Sequence, residues 1–149
     1  MGNRRERGSN LVEMAFAMFI LVLLIAAIAD LGRAFNHYIV ITNASRAGAR
    51  FGARMEHTNT VDDYIRNAAI GEARNSGVDL SEPEIGQPRL ANIIIEPPWD
   101  DRHTSEPITV TVEYTVTTIL AGIVGLDRIP LRAQTVMVMY GNTVIPEGE

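Results

Sequence analysis

The stretch "LVEMAFAMFILVLLIAAIADLGRAFNHYIVITNASRAGARFGAR", residues 11–54, decides how this chain is built. Residues 11–29 form an apolar run of 19 with one charge, Glu13. That is long enough to cross a bilayer as a helix. Arg4, Arg5 and Arg7 precede the run, and Asp30 follows it. Arginines on the leading flank place the N-terminus in the cytoplasm and the body across the membrane. The helical pattern does not end at Asp30. Leu31, Phe35, Tyr38, Ile39 and Thr42 recur at three- and four-residue spacings. The first proline is Pro83, and Gly32, Gly48 and Gly52 weaken a helix without breaking it. The pattern predicts one helix from about Ser9 to about Arg54, ~70 Å long at the standard rise, with Gly32 as the place for a bend.

Three readings fit the apolar run. A secretory signal would use the small residues Ala26, Ala27 and Ala29 as its cleavage site, but the run is long for one. A plain signal anchor needs only length and flanking charge. The third reading uses Gly8 and Glu13 together. "RRERGSNLVEMAF" resembles the N-terminus of type IV-type prepilins, with a short basic leader ending in glycine and a glutamate at the fifth residue after it. Cleavage after Gly8 would make Ser9 the first residue and Glu13 the fifth. The continuation is more specific. Val-Glu-Met near the start, Asp-Leu-Gly-Arg-Ala-Phe after the run and Thr-Asn-Ala-Ser-Arg-Ala-Gly-Ala-Arg further on resemble the TadE-like family of tight-adherence pilus proteins. The resemblance covers about residues 8–53. Met14 stands where such prepilins commonly carry an aromatic, and Phe16 follows two positions later.

Glu13 is the residue a membrane anchor would not need, because a carboxylate near lipid is costly. One account is that it snorkels to the interface. The other, implied by the prepilin resemblance, is that cleavage frees the α-amino group of Ser9. That amine then pairs with Glu13 of a neighbouring helix. One buried polar pair of this kind fixes axial register.

Beyond the membrane, Ala44, Ala47, Gly48, Ala49, Gly52 and Ala53 allow close backbone approach, with Gly48 and Gly52 at GxxxG spacing. They serve either lateral packing with other helices or packing on the chain's own sheet. Arg46, Arg50 and Arg54 step by four and form a basic stripe. It is a solvated face with local ion pairs, or a contact for an acidic partner or anionic headgroups.

A second helix is predicted after Thr60, a candidate cap, with Asp62 and Asp63 in its first turn. Val61, Ile65, Ala68, Ala69 and Ala73 make its apolar face, and Asn75-Ser76-Gly77 ends it. "SEPEIGQPRL" is a loop by its prolines and glycine. "LANIIIEPP" reads as a strand stopped by Pro97 and Pro98. "EPITVTVEYTVTTI" alternates, with Ile108, Val110, Val112, Tyr114 and Val116 on one face. "IPLRAQTVMVMYG" supplies a third strand. Three consecutive strands predict an antiparallel meander packed on the helices. The connection "ILAGIVGLDRIP" between the last two is unusually apolar, and TadE-like proteins often carry a similar one. Ile123 and Val124 there make either a buried turn or a contact patch for a partner or membrane.

Composition narrows the function classes. The 149 residues carry a formal net charge of -5, and residues 1–8 contribute about +2, so the body is acidic. An acidic body lacks the footprint for nucleic acid. With no cysteine there are no disulfides, thiolate metal sites or cysteine nucleophiles. His37, His57 and His103 show no HExxH spacing, and no GxSxG, P-loop or dinucleotide motif is present. "WDDRHTSE" is the best place to look for chemistry. Asp100, Asp101, His103 and Glu106 could hold a cation, but their spacing fits no EF-hand and a polar loop explains them. Asn43-Ala44-Ser45 matches a glycosylation sequon and reads as incidental. Trp99 covers the sheet edge or forms an adhesive contact.

The expectation is therefore an α+β, pilin-like protein: a long N-terminal transmembrane and stalk helix, plus a second helix packed on a small three-stranded antiparallel sheet. Its parts are a basic leader (1–8), a transmembrane helix (9–30), a stalk helix continuing it (31–56) and an extracytoplasmic domain (57–149). The resemblance implies a minor pseudopilin in pilus assembly, acting by helix packing, in the bacterial inner membrane as a single-pass protein. Its partners would be other pilins or pseudopilins, prepilin peptidase, the assembly platform and membrane lipid. Catalytic residues, metal, cofactors, nucleic acid and a small-molecule substrate are not expected. The alternative is a permanently signal-anchored scaffold or binding protein that never enters a filament.

Overall fold

The computed structural model describes residues 3–55, 60–81, 90–121, 125 and 127–140, with side chains from residue 10 onward. Helix α1 runs unbroken over Asn3–Arg54. It starts six residues earlier than the sequence pattern predicts, because the leader has nothing to stop a helix. At the standard rise its 52 residues extend about 78 Å. No residue from 10 to 29 is buried, and Leu11, Phe16 and Ile28 each expose more than 60% of their surface.

The second half carries a buried stripe. Asp30, Ala34, Ile41, Ala44, Ser45, Gly48, Ala49, Gly52 and Ala53 follow three- and four-residue steps along one side. Helix α2, Val61–Asn75, lies on part of that stripe through Val61, Ile65, Ala69 and Ala73. Ala68 is half-buried beside them. Thr60 precedes α2 without a side-chain capping bond, contrary to its predicted role. Its carbonyl instead accepts the amide protons of Asp63 and Tyr64. The acids of the first turn and the opposing Arg74 in the last suit the helix dipole.

The sheet covers the rest of the stripe. Strands β1 (Ala91–Glu96), β2 (Pro107–Thr117) and β3 (Arg128–Val138) form an antiparallel meander in the order β1-β2-β3. Val112 of β2 pairs with Ile93 on one side and Ala133 on the other. The alternation in β2 is realised: Ile108, Val110, Val112 and Val116 are buried, and Tyr114 is half-buried. Thr111 departs from it, being buried on the opposite face. Polar ties close the body. The Ser45 and Thr135 hydroxyls lie 2.8 Å apart, joining α1 to β3. The Tyr140 amide donates to the Ala53 carbonyl at 3.0 Å, pinning the chain after β3 to the end of α1. The outcome is the expected α+β arrangement of a long apolar helix, a second helix and a three-stranded sheet.

Candidate functional site

The residues of interest are strung along α1. Gly8 and Ser9 lie inside it, with the backbone helical through the bond between them. Glu13 sits on an exposed stretch of helix among Leu11, Val12, Met14 and Phe16. Among residues with described side chains it makes no hydrogen bond or ion pair. Among the described residues α1 alone is long and apolar enough to cross a membrane, and its most apolar stretch, none of it buried, fits a single-pass membrane protein.

Gly48 and Gly52 are occupied by the chain's own body. A Cβ at Gly48 would meet Val110 at 3.2 Å and Ile65 at 3.4 Å. At Gly52 it would come within 2.6 Å of Ile108 and 2.8 Å of Ile65. The stripe of small residues is where α1 accepts α2 and β2, so these glycines face inward. Arg46, Arg50 and Arg54 are all exposed, and none has an ion-pair partner among the described residues.

Two residues to which the sequence reading assigns no structural role, Asp30 and Arg102, organise the body. Asp30 was read as the flank of the apolar run. It is 95% buried. Its carboxylate accepts the Ile119 amide at 2.8 Å and the Leu120 amide at 3.1 Å. Arg33, one turn on, lies 3.4 Å away on the solvent side. Asp30 thus clasps the start of the β2–β3 connection to α1. Its helical phase gave the signal: it precedes Ala34, Ile41, Ala44 and Gly48 on the same stripe.

Arg102 was hidden inside "WDDRHTSE". Its neighbours Asp100, Asp101, His103 and Glu106 are exposed, and no group of three or more ligating side chains is assembled among the described residues. Arg102 itself is buried. It donates to the Pro97 carbonyl at 2.7 Å and to the Asp62 carboxylate at the start of α2. The loop's function in the structure is to tie the turn after β1 to α2. Trp99 opens a short 3-10 helix, Trp99–Asp101, and remains 45% exposed.

His37 stands on α1 against the Tyr114 ring, centroids 5.3 Å apart, and its Nδ1 is buried with no partner among the described residues. Burial, and then the nearby Arg33 charge, holds its pKa below the usual histidine value. A cleft of about 440 Å³ between α2 and β1 is lined by Asp63, Arg66, Asn67 and Asn92. Arg66 is engaged there with the Ile93 carbonyl at 2.8 Å. The sequon is internal: Ser45 is fully buried. Ile123, Val124 and His57 lie outside the described residues.

Residues 8–50 match the family model of TadE-like proteins. The matched segment begins at the leader glycine and ends on the buried stripe, so it takes in Glu13, Asp30 and Gly48. Helix α2 and the sheet lie beyond it. No curated protein and no solved structure matches the chain.

Proposed function

We propose that this chain is a minor pseudopilin-like subunit of a tight-adherence pilus system, working by helix packing without catalysis. The match of residues 8–50 to TadE-like proteins supports an association with pilus components. The observation that carries the reading is the division within α1. Residues 10–29 present an apolar surface that the chain's own body leaves bare, with one carboxylate near its start. Such a surface is satisfied by lipid while the subunit waits in the membrane, and by like helices once it is assembled.

In this reading the body lies across the inner membrane from the basic leader. Prepilin peptidase removes residues 1–8. The freed Ser9 amine of one subunit pairs with Glu13 of another, which neutralises two charges that lipid disfavours and fixes axial register. The exposed arginine stripe is available to an acidic partner subunit or to the assembly platform.

Intact-mass spectrometry of the protein from its native membrane tests the first step. The expected result is a chain lacking Met1 to Gly8. A full-length chain would favour the signal-anchored scaffold, with Glu13 an interfacial carboxylate. Glu13→Gln tests the second step. It should insert normally but lose incorporation with partner pilins, and normal co-assembly of the variant would refute the pairing.

A further inference from the structure

We propose that the beginning of the β2–β3 connection is a second membrane contact, with Ile119 seated at the boundary between headgroups and acyl chains and held there by Asp30. The inference rests on the reading of residues 11–29 as a membrane span.

The geometry places the connection at that depth. From Leu11 to Asp30 the helix rises about 28 Å, close to the thickness of a bilayer's hydrocarbon core. Asp30 is therefore at the far boundary of the span. The clasp brings Ile119 and Leu120 to the same level, with three backbone-to-carboxylate contacts of 2.8–3.1 Å. Ile119 nonetheless leaves 57% of its surface open, at the level where Leu31 is 70% open. In water these would be two open apolar side chains at one level. At a lipid boundary they continue the surface of the span.

The polar groups nearby suit the same place. The Asp30 carboxylate would be costly in lipid, but two amide donors and Arg33 take up its charge. The Arg33 side chain is nearly half exposed and can reach headgroup phosphates while staying within range of Asp30. Arg128, opposite Thr117 in the sheet, and Asp127 beside it are both exposed just above the connection. The occupant that fits an apolar tip beneath guanidinium groups is an anionic bilayer surface.

The chain has no cysteine, so single introduced thiols report position cleanly. The full chain would be reconstituted into vesicles of phosphatidylethanolamine and phosphatidylglycerol. Three variants would carry an environment-sensitive dye: Phe19→Cys in the span, Ile119→Cys, and Arg132→Cys on the exposed face of β3. Quenching by spin-labelled lipid and by aqueous iodide would be compared. The dye at position 119 should be quenched several-fold more by shallow spin-labelled lipid than the dye at 132, and several-fold less by iodide. Adding Asp30→Ala should move the 119 values towards those at 132.

Iodide access at 119 equal to that at 132, with position 19 in lipid, would overturn the inference and leave the span intact. Protection at 119 from both quenchers would also overturn it, since protein then covers the site. A dye at 19 open to iodide would remove the membrane reading itself. If 119 reads as lipid-bound but ignores Asp30→Ala, the clasp is not what holds it, and that part of the proposal fails.

Discussion

Residues 10–29 and residues 30–54 belong to one helix and obey opposite rules. In the first, the apolar side chains are large and all faces are open. In the second, the residues that matter most are the smallest: Ala44, Gly48, Ala49, Gly52 and Ala53 lie within the body. The difference shows what each half is solvated by. Lipid accepts bulky side chains on any face of a helix, and length alone is demanding. A second helix and a sheet accept only side chains that fit between theirs. The same substitution should therefore have unequal effects in the two halves.

The largest contrast is expected from added volume. Gly52→Val would push an isopropyl group into the space held by Ile65 and Ile108, which are both fully buried. Overpacking of this kind typically destabilises by about 1–3 kcal/mol, and the 2.6 Å approach puts Gly52→Val at about 3 kcal/mol or more. Ala27→Val adds two methyl groups on the exposed face of the span and should leave the body's stability unchanged. Denaturant unfolding of the full chain in detergent, followed by Trp99 fluorescence, measures both. Trimming Ile108 to valine removes the atom nearest Gly52, so Ile108→Val should partly rescue Gly52→Ala. Equal effects at positions 27 and 52 would mean that the two halves of α1 are not differently solvated.

How much of this was legible follows from the same physics. The apolar run, the length of α1, the α2 face and the meander are written as periodicities, which depend on each residue's own chemistry and spacing. The clasp and the Arg102 bridge are not. Asp30 looks like the ordinary polar end of a membrane run, and only its partners, 89 and 90 residues away, make it structural. Arg102 sits among three acids and one histidine that invite a metal reading, while the buried member is the cation. For Gly48 and Gly52 the spacing allowed a lateral bundle or the chain's own body, and spacing cannot choose between them. The nearby Ile65, Ile108 and Val110 side chains place both glycines in the intrachain contact. The arginine stripe reads as a solvated face or as local ion pairs with the acidic body, and among the described residues it is exposed and makes no ion pair.

A smaller test sharpens the boundary between the halves. Ser45→Ala removes the hydroxyl that meets Thr135 at 2.8 Å in a buried position. The loss should be about 1 kcal/mol, the usual net value of one such bond. Gly32→Ala acts in the other direction. A Cβ at Gly32 meets nothing within 4 Å, so the change only improves helix propensity, by about 0.8 kcal/mol at most. Raised helicity with an unchanged body is expected from circular dichroism. A loss of body stability would show that the helix needs freedom at the junction between its two environments.

The smallest effect is a dependence on pH, and it belongs to the outer half alone. His37 packs on Tyr114 with Nδ1 buried and unpartnered among the described residues, and Arg33 lies one turn below. A proton on that ring would be poorly solvated and would add a second positive charge, so the folded-state pKa lies below 6.5. The unfolded chain takes up the proton first as pH falls. Stability contributed by the neutral ring is complete above the unfolded pKa near 6.5 and declines as pH falls towards the folded value. Below that value both states are protonated and the decline stops. Unfolding midpoints measured from about pH 7.5 to about pH 5 should fall gently, and His37→Phe should flatten the slope in that window. A slope that survives His37→Phe would assign the titration to another group and leave the His37–Tyr114 contact as packing only.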